Sequence, residues 1–324
     1  MRVDLVIDGN YILSKLVFTL HKHNLLFGGL HKALEVAINN YRKWYPFTNV
    51  YLVSDSKEKS WRKDYTENYK GKRKKDLDID WNFVYATYDE FKQSIGSQMI
   101  VLEAPKVEGD DWISYLVEKA NEEERCVIIV SNDYDIKQLV NYCLNPLTIN
   151  IMTNEMYNKE KLFLPRNYQI FVNKVSKLPN DDIFNLNENS DFLQLIERFT
   201  TKCEIIEVDP IESFVVKLIS GDKSDNIKTV WSQRNKNGLD RGIGKDGAKG
   251  LYDKYVEEFG EPNLSDPDLF DNIADLIIEK KKLSKTEFDS IKAKLDKNWK
   301  LVNLNIDSLP KQIVSKMTDI YNGD

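Results

Sequence analysis

The sequence predicts an α/β fold, a mainly parallel sheet flanked by helices, followed by a helical C-terminal region. Three observations predict it. Short apolar runs alternate with stretches of helical spacing from Val3 to about Leu139, and such alternation argues for an open parallel sheet. Acidic residues stand just past the carboxyl ends of three of those runs, at Asp8, Asp55 and Asp133. From Gly242 onward the spacing turns helical, with acidic loops between.

In chain order, Val3 to Ile7 is a short apolar strand interrupted by Asp4. Residues 30–44 carry helical spacing through Leu30, Leu34, Val36, Ala37, Tyr41 and Trp44. Residues 49–53 form the second strand, and after a basic, Tyr-containing stretch residues 81–91 read as a helix. Residues 99–102 are a third strand, 111–120 a helix and 126–130 a fourth strand. The pattern then weakens. Residues 149–152 and 162–164 suit strands, and residues 177–190, polar and rich in Asn and Asp, read as a loop or insertion. Residues 211–220 are helical, and residues 231–240, polar and basic, read as a flexible connection. A Lys-rich helix is expected over 280–295 and a last helix near 310–321. The expected division places an α/β core in residues 1–219, with a basic segment at about 57–90, and a helical region in residues 220–324.

The bulk composition excludes several classes. No apolar run in the 324 residues reaches the roughly 18 that a membrane span needs. The start Met1-Arg2-Val3-Asp4 does not read as a secretory signal. Three cysteines, Cys126, Cys143 and Cys203, show no paired spacing, which points to a reducing cytoplasm. The net charge of −6 speaks against a nucleic-acid partner only if charge is evenly spread. It is not: residues 57–75 hold nine Lys/Arg and three acids.

Nine carboxylates carry the candidate chemistry: Asp8, Asp55, Glu108, Asp110, Asp111, Asp133, Asp135, Asp222 and Asp225. Their oxygens are the hard ligands that Mg²⁺ prefers. Singly, most have a simpler reading. Asp133-Tyr134-Asp135 suits a helix cap, the acids of Glu108-Gly109-Asp110-Asp111 suit a first helical turn, and Asp8-Gly9-Asn10 is a turn signal. Asp222 and Asp225 would share a face if their segment were helical. Their joint placement at element ends exceeds what caps require. In open parallel sheets the site lies beyond the carboxyl ends of the strands, where Asp8, Asp55 and Asp133 all fall.

Two further segments suit nucleic acid. Trp61-Arg62-Lys63 and Tyr69-Lys70-Gly71-Lys72-Arg73 interleave aromatics with cations, able to neutralise phosphates and stack an unpaired base, or simply to form a solvated basic loop. Gly242-x-Gly244-Lys245, followed by Ala248, Lys249 and Leu251, has the spacing of a helix–hairpin–helix element, whose glycines let the backbone approach a phosphate. A dinucleotide-binding turn needs a preceding strand, and the polar residues 235–241 do not read as one.

In order, these motifs resemble the 5′-nuclease family: flap endonucleases, the 5′-nuclease domains of bacterial DNA polymerases and bacteriophage ribonuclease H. The matching run is Asp8; Asp55; Tyr69, Lys70 and Arg73; Glu108-x-Asp110-Asp111; Ser131-x-Asp133-x-Asp135; Gly221-Asp222-x-x-Asp225-Asn226; and Gly242-x-Gly244. The resemblance spans roughly residues 3 to 310 and looks closest to the phage-type enzymes that remove RNA primers. It implies a PIN-like nuclease core and a helix–hairpin–helix-type DNA-binding element. By resemblance, Asp8, Asp55, Glu108, Asp110 and Asp133 serve a first metal, and Asp111, Asp135, Asp222 and Asp225 the neighbouring or second. Lys70 and Arg73 would grip the scissile phosphate as part of an arch that includes Arg62, Lys63 and Tyr69. Gly242, Gly244, Lys245 and Lys249 would hold the duplex, with a K⁺ ion. The sequence departs from the family at Gly109, where Ala is usual, and in its longer stretches from Asp135 to Asp222 and from Asn226 to Gly242.

The implied function is Mg²⁺-dependent 5′-nuclease action, with two ions and Mn²⁺ as a substitute, on DNA or RNA–DNA duplexes bearing a 5′ end, nick or flap. The implied setting is replication in the cytoplasm, as a monomer, with a single-stranded-DNA-binding protein or sliding clamp as protein partner. Two rivals remain: a PIN-type endoribonuclease, and a replication factor that binds DNA without chemistry. A phosphatase with Asp8 as nucleophile would want a second acid two residues on, where Asn10 stands.

Overall fold

Residues Val3–Asp8 form β1, the centre of the sheet, and every one of them is buried. Asp4, the acid inside the run, is tolerated because it is paired there. Its carboxylate lies 2.9 Å from Arg125 Nε and accepts from Asn49 Nδ2 at 2.9 Å, as a buried charge requires. The structure, a computed structural model, describes residues 2–43, 46–71, 78–123, 125–131, 133–142, 147–154, 159–165, 203–238 and 240–323.

The helices and strands that follow are α1 (Gly9–Lys22), α2 (Leu26–Arg42), β2 (Asn49–Val53), α3 (Trp81–Ile95), β3 (Ile100–Leu102), α4 (Gly109–Glu122) and β4 (Cys126–Val130). Next come β5 (Asn141–Tyr142), β6 (Leu147–Asn154), β7 (Lys159–Pro165), β8 (Cys203–Val208) and α5 (Pro210–Ser220). The chain continues with β9 (Ser232–Arg234), β10 (Asp240–Gly242), α6 (Lys245–Phe259), α7 (Leu269–Lys281), α8 (Phe288–Val302) and α9 (Lys311–Asn322). The sheet order is β3-β2-β1-β4-β6-β7-β8, with β5 paired to β6. Neighbours from β3 through β6 run parallel, while β7 is antiparallel to β6 and parallel to β8. The expected fold class, a mainly parallel sheet flanked by helices, is the one observed.

The chain divides into two units: Met1–Lys59, Asp76–Asp209 and Leu309–Asp324 in the first, Ser60–Lys75 and Pro210–Ser308 in the second. Side chains alternate across each strand, so the first unit has helices on both faces. Leu5, Ile7, Leu52 and Ile128 pack with Leu13, Leu30, Leu34, Val84 and Phe91 of α1, α2 and α3. On the other face, Tyr51 stacks on Tyr321 of α9, which also meets Tyr115 of α4 edge-on. The second unit has its own core: Phe214, Leu218, Leu251, Tyr255, Ile273, Ile277, Ile291 and Leu295, with Tyr69. Among the described residues, no helix is long and apolar enough to cross a membrane.

Four local expectations change. Helix α1 stands where Asp8-Gly9-Asn10 suggested a turn, because Asp8 caps it by accepting from Tyr11 N at 3.0 Å. Strand β8 was not foreseen. The Lys-rich stretch 280–295 is not one helix. It breaks at Lys282, whose φ of 53° and ψ of 47° are left-handed, and Ser284 then caps a 3₁₀ turn before α8. Within residues 231–240, Ser232–Arg234 form β9, which pairs with β10 (Asp240–Gly242), so the stretch is not wholly a loose connection. The expected insertion at residues 177–190 lies outside the described residues.

Candidate active site

In the first unit, the acids gather where β1, β2 and β4 end. Asp8 is held from two sides: one oxygen accepts from Tyr11 N at 3.0 Å and the other from Ser131 Oγ at 2.7 Å. Burial raises its carboxyl to about 6; the Tyr11 and Ser131 hydrogen bonds pull it back, and the charges of Asp55 and Asp133 add to the rise. Those three carboxylates therefore lie within electrostatic reach of one another. Gly9 makes the approach of β1 to β2 possible. A Cβ there would sit 2.0 Å from Tyr88 Oη and 2.8 Å from the Val53 carbonyl.

Asp55 fastens this edge to α4. Its Oδ1 accepts from Gly109 N at 2.7 Å, and its own N–H donates to Asn10 Oδ1 at 3.2 Å. Gly109 stands between Glu108 and Asp110 in the chain, so those acids flank the contact. A Cβ at Gly109 would lie 3.4 Å from Asp55 Oδ1, so the departure from Ala alters little. Glu108 caps α4 and its N–H donates to Asp111 Oδ2 at 3.0 Å; both residues are buried. The helix N-terminus favours this negative charge. Asp133 caps the 3₁₀ turn Tyr134–Leu139 by accepting from Asp135 N at 2.8 Å, and its N–H donates to Ser131 Oγ at 3.1 Å.

Sequence reasoning gave no role to Ser131, Asn10 or Tyr88. Ser131 is fully buried and its hydroxyl links Asp8 to the Asp133 backbone. The Ser-x-Asp-x-Asp pattern marked the position, but the partner is 123 residues away. Tyr88 Oη bonds Ser54 Oγ at 2.7 Å behind Gly9, in the core.

The second unit holds the other candidates. Gly221 to Ile227 is a tight loop rather than the helical turn considered for Asp222 and Asp225. Asp222 and Ile227 exchange both backbone hydrogen bonds, and Gly221 has a φ of +69°. Burial pushes the Asp222 carboxyl up, but Lys217 at 3.0 Å and the hydrogen bonds of Ser224 outweigh it and hold the group well below the usual range. Asp225 is buried; its N–H lies 3.4 Å from Asp222 Oδ1, and its Oδ2 accepts from Tyr69 Oη at 3.4 Å.

Arg62 and Tyr69, expected at a nucleic-acid surface, are both buried. Arg62 stacks on Trp61 and donates to the Leu301 carbonyl at 3.1 Å, which uses its guanidinium inside the unit. Lys63 and Lys70 are half-buried; Lys70 has a φ of 53° and its N–H donates to the Asp225 carbonyl at 2.9 Å. Arg73 lies outside the described residues. Gly242 ends β10, Gly244 is the exposed N-cap of α6, and Lys245 is exposed at the first helical position. Lys249 is ion-paired with Glu212 at 2.7 Å.

The donor set at the strand ends is all carboxylate, closely spaced, and in Asp8 raised by burial and like charge. Such a set fits a hard divalent cation, whose charge would relieve the repulsion. Fold and site together define an α/β protein with a cluster of carboxylates at the carboxyl ends of its parallel strands. The chain belongs to the 5′-3′ exonuclease family: the model of the 5′-3′ exonuclease N-terminal, resolvase-like domain matches residues 4–166, half of its length.

Two relatives bear the 5′-3′ exonuclease name and a third is a ribonuclease H. The chain is 30% identical over 162 residues, 48% of its length, to a 5′-3′ exonuclease of Buchnera aphidicola subsp. Baizongia pistaciae. It is 25% identical over 252 residues, 78% of its length, to a 5′-3′ exonuclease of Mycoplasmopsis pulmonis. Over 102 residues, 30% of its length, it is 30% identical to ribonuclease H of Enterobacteria phage T4. These matches span 53%, 66% and 33% of the relatives, less than two thirds of each. Among solved structures, the T5 5′-exonuclease with bound zinc superposes with a TM-score of 0.62 at 16% identity, over 99% of both chains. A bacteriophage T5 flap endonuclease complex with DNA and metal ions gives 0.63 at 16%, over 99% of this chain and 98% of the other. At that identity the likeness is one of fold.

Proposed function

We propose that this protein is a metal-dependent phosphodiesterase that cleaves near the 5′ ends, nicks or flaps of DNA and RNA–DNA duplexes, as in the removal of RNA primers during replication. One observation carries the reading. Asp8, Asp55 and Asp133 leave three neighbouring parallel strands within electrostatic reach of one another, and Asp55 is tied to α4 between Glu108 and Asp110. Family membership supports it. In this reading residues 1–219, with α9 packed on their sheet, serve as nuclease core, and the rest of residues 220–324 as duplex-binding region.

Asp8, Asp55, Glu108, Asp110 and Asp133 would hold a first Mg²⁺ directly or through water. Asp111, Asp135, Asp222 and Asp225 keep the neighbouring assignment that the family resemblance gives them, with Mn²⁺ as a substitute ion. Bound there, the ions would supply an activated water and offset charge on the leaving oxygen. The chain's own groups do the rest. Ser131 and the Tyr11 N–H fix the Asp8 carboxylate, and the Gly109 N–H fixes that of Asp55. Lys70 and Arg73 place positive charge at the phosphoryl group. Lys63, Gly242, Gly244, Lys245 and Lys249 meet the duplex backbone, with a K⁺ ion at the glycine turn. Arg62 and Tyr69 support the second unit rather than meet the duplex, since both are used inside it.

The test is incubation with Mg²⁺ or Mn²⁺ and 5′-labelled RNA–DNA hybrid, nicked, flap and single-stranded RNA substrates. Metal-dependent release of short 5′ products, abolished by EDTA, is expected. Absence of cleavage with either ion sinks the reading, and cleavage of single-stranded RNA without need of a 5′ end assigns the chain to the PIN-type alternative.

A further inference from the structure

The β9–β10 ribbon has no core of its own. It pairs Ser232 with Gly242, Gln233 with Arg241 and Arg234 with Asp240, and every residue of both strands is exposed. A two-stranded ribbon with neither face packed is marginal in water.

Its root, by contrast, is fixed. Ile243 N lies 3.3 Å from the Trp231 carbonyl and 3.2 Å from Thr229 Oγ1, and Thr229 Oγ1 donates to the Ile219 carbonyl at 3.1 Å. A Cβ on Gly242 would lie 2.1 Å from Thr229 Cγ2, so glycine is required there by the chain itself. Lys281 covers the Trp231 ring at 5.1 Å. A solvated ribbon is thus held at a set place on the second unit.

The chemistry of the ribbon is one-sided. Directly opposed residues share a face, so Gln233 and Arg241 form one face with no acid on it. The other carries Arg234 and Asp240, an exposed pair at 3.5 Å, which is worth little in water. Lys236 stands exposed in the turn, closed by Gly238 N to the Asn235 carbonyl at 2.9 Å with a Gly238 φ of 73°. The ribbon has three cations to one acid in a protein of net charge −6. Strand β10 runs directly into Gly244 and Lys245, where α6 begins with no side-chain cap.

We propose that the ribbon grips the phosphate backbone of a nucleic-acid duplex through Arg241, Gln233 and Lys236, extending the contact assigned to Gly244 and Lys245. The proposal deepens the nuclease reading and rests on it for the choice of substrate. Two arguments select this occupant: the local excess of cationic and amide donors suits phosphate oxygens, and the ribbon is continuous with an open helix N-terminus.

The experiment is equilibrium binding of a fluorescent RNA–DNA duplex in EDTA, over 50 to 200 mM salt, by the full chain. It compares wild type, Lys236→Gln/Arg241→Gln and a control, Lys32→Gln on α2. Each lost phosphate contact should reduce the slope of log K against log salt by about 0.9. The double variant should therefore bind more weakly with a slope shallower by about 1.8, the thermal midpoint and the control remaining unchanged. An unchanged slope in the double variant overturns the proposal, as does weaker binding with an unchanged slope, or failure of wild type to bind. Because binding is read without metal, the two readings separate. Ribbon-dependent binding by a protein that never cleaves refutes the nuclease reading alone. Cleavage by a protein whose slope ignores the ribbon refutes the ribbon alone.

Discussion

The Asp8 carboxyl accepts from the first turn of α1 with one oxygen and from Ser131 with the other. A cap occupies only one lone pair of a carboxylate, so capping and metal binding are not alternatives for Asp8 or Asp133. Their spacing past strand ends was legible because it depends on local pattern. The clamp by Ser131 was not, because it joins residues 123 apart. Removing that hydroxyl should loosen Asp8. Ser131→Ala is expected to raise the Mn²⁺ concentration for half-saturation, measured by electron paramagnetic resonance, by about tenfold or more, and Ser131→Thr to restore much of it. Equal affinity in wild type and Ser131→Ala would refute the clamp. Lys70→Ala should slow cleavage at saturating substrate more than it weakens duplex affinity. The reverse order would make Lys70 a binding residue only.

At the scale of elements, the strands with buried runs read directly from the sequence, as did α3, α4 and α9. Periodicity could not find the break between α7 and α8. Lysines fit a helix equally on either side, and only the cap by Ser284 and the turn at Lys282 decide it. A left-handed lysine costs roughly 1–2 kcal/mol, part of which glycine loses again as chain entropy. Lys282→Gly should thus stabilise the protein by about 0.5–1 kcal/mol in urea unfolding; a loss of stability would contradict the assigned conformation. The β9–β10 ribbon was read as a loose connection because its strands carry no apolar alternation, both faces being exposed. Strand β8 lies beyond a long polar stretch that hides it from a reading by alternation.

Across the whole molecule, charge is segregated. Asp8, Asp55 and Asp133 stand past the carboxyl ends of neighbouring strands, while residues 57–75 hold nine of the 46 Lys/Arg against three acids. Net charge therefore says little about partner. Duplex binding should weaken steeply with salt although the chain carries −6, and weak dependence would argue against the assigned phosphate contacts. The most direct measurement is cleavage of a 5′-labelled flap duplex with saturating Mg²⁺ by wild type and Asp133→Asn, beside duplex affinity in EDTA. The carboxylate site predicts turnover lost by about a hundredfold or more, with affinity retained or improved, since a negative charge has been removed near phosphate. Cleavage by Asp133→Asn at the wild-type rate would contradict it.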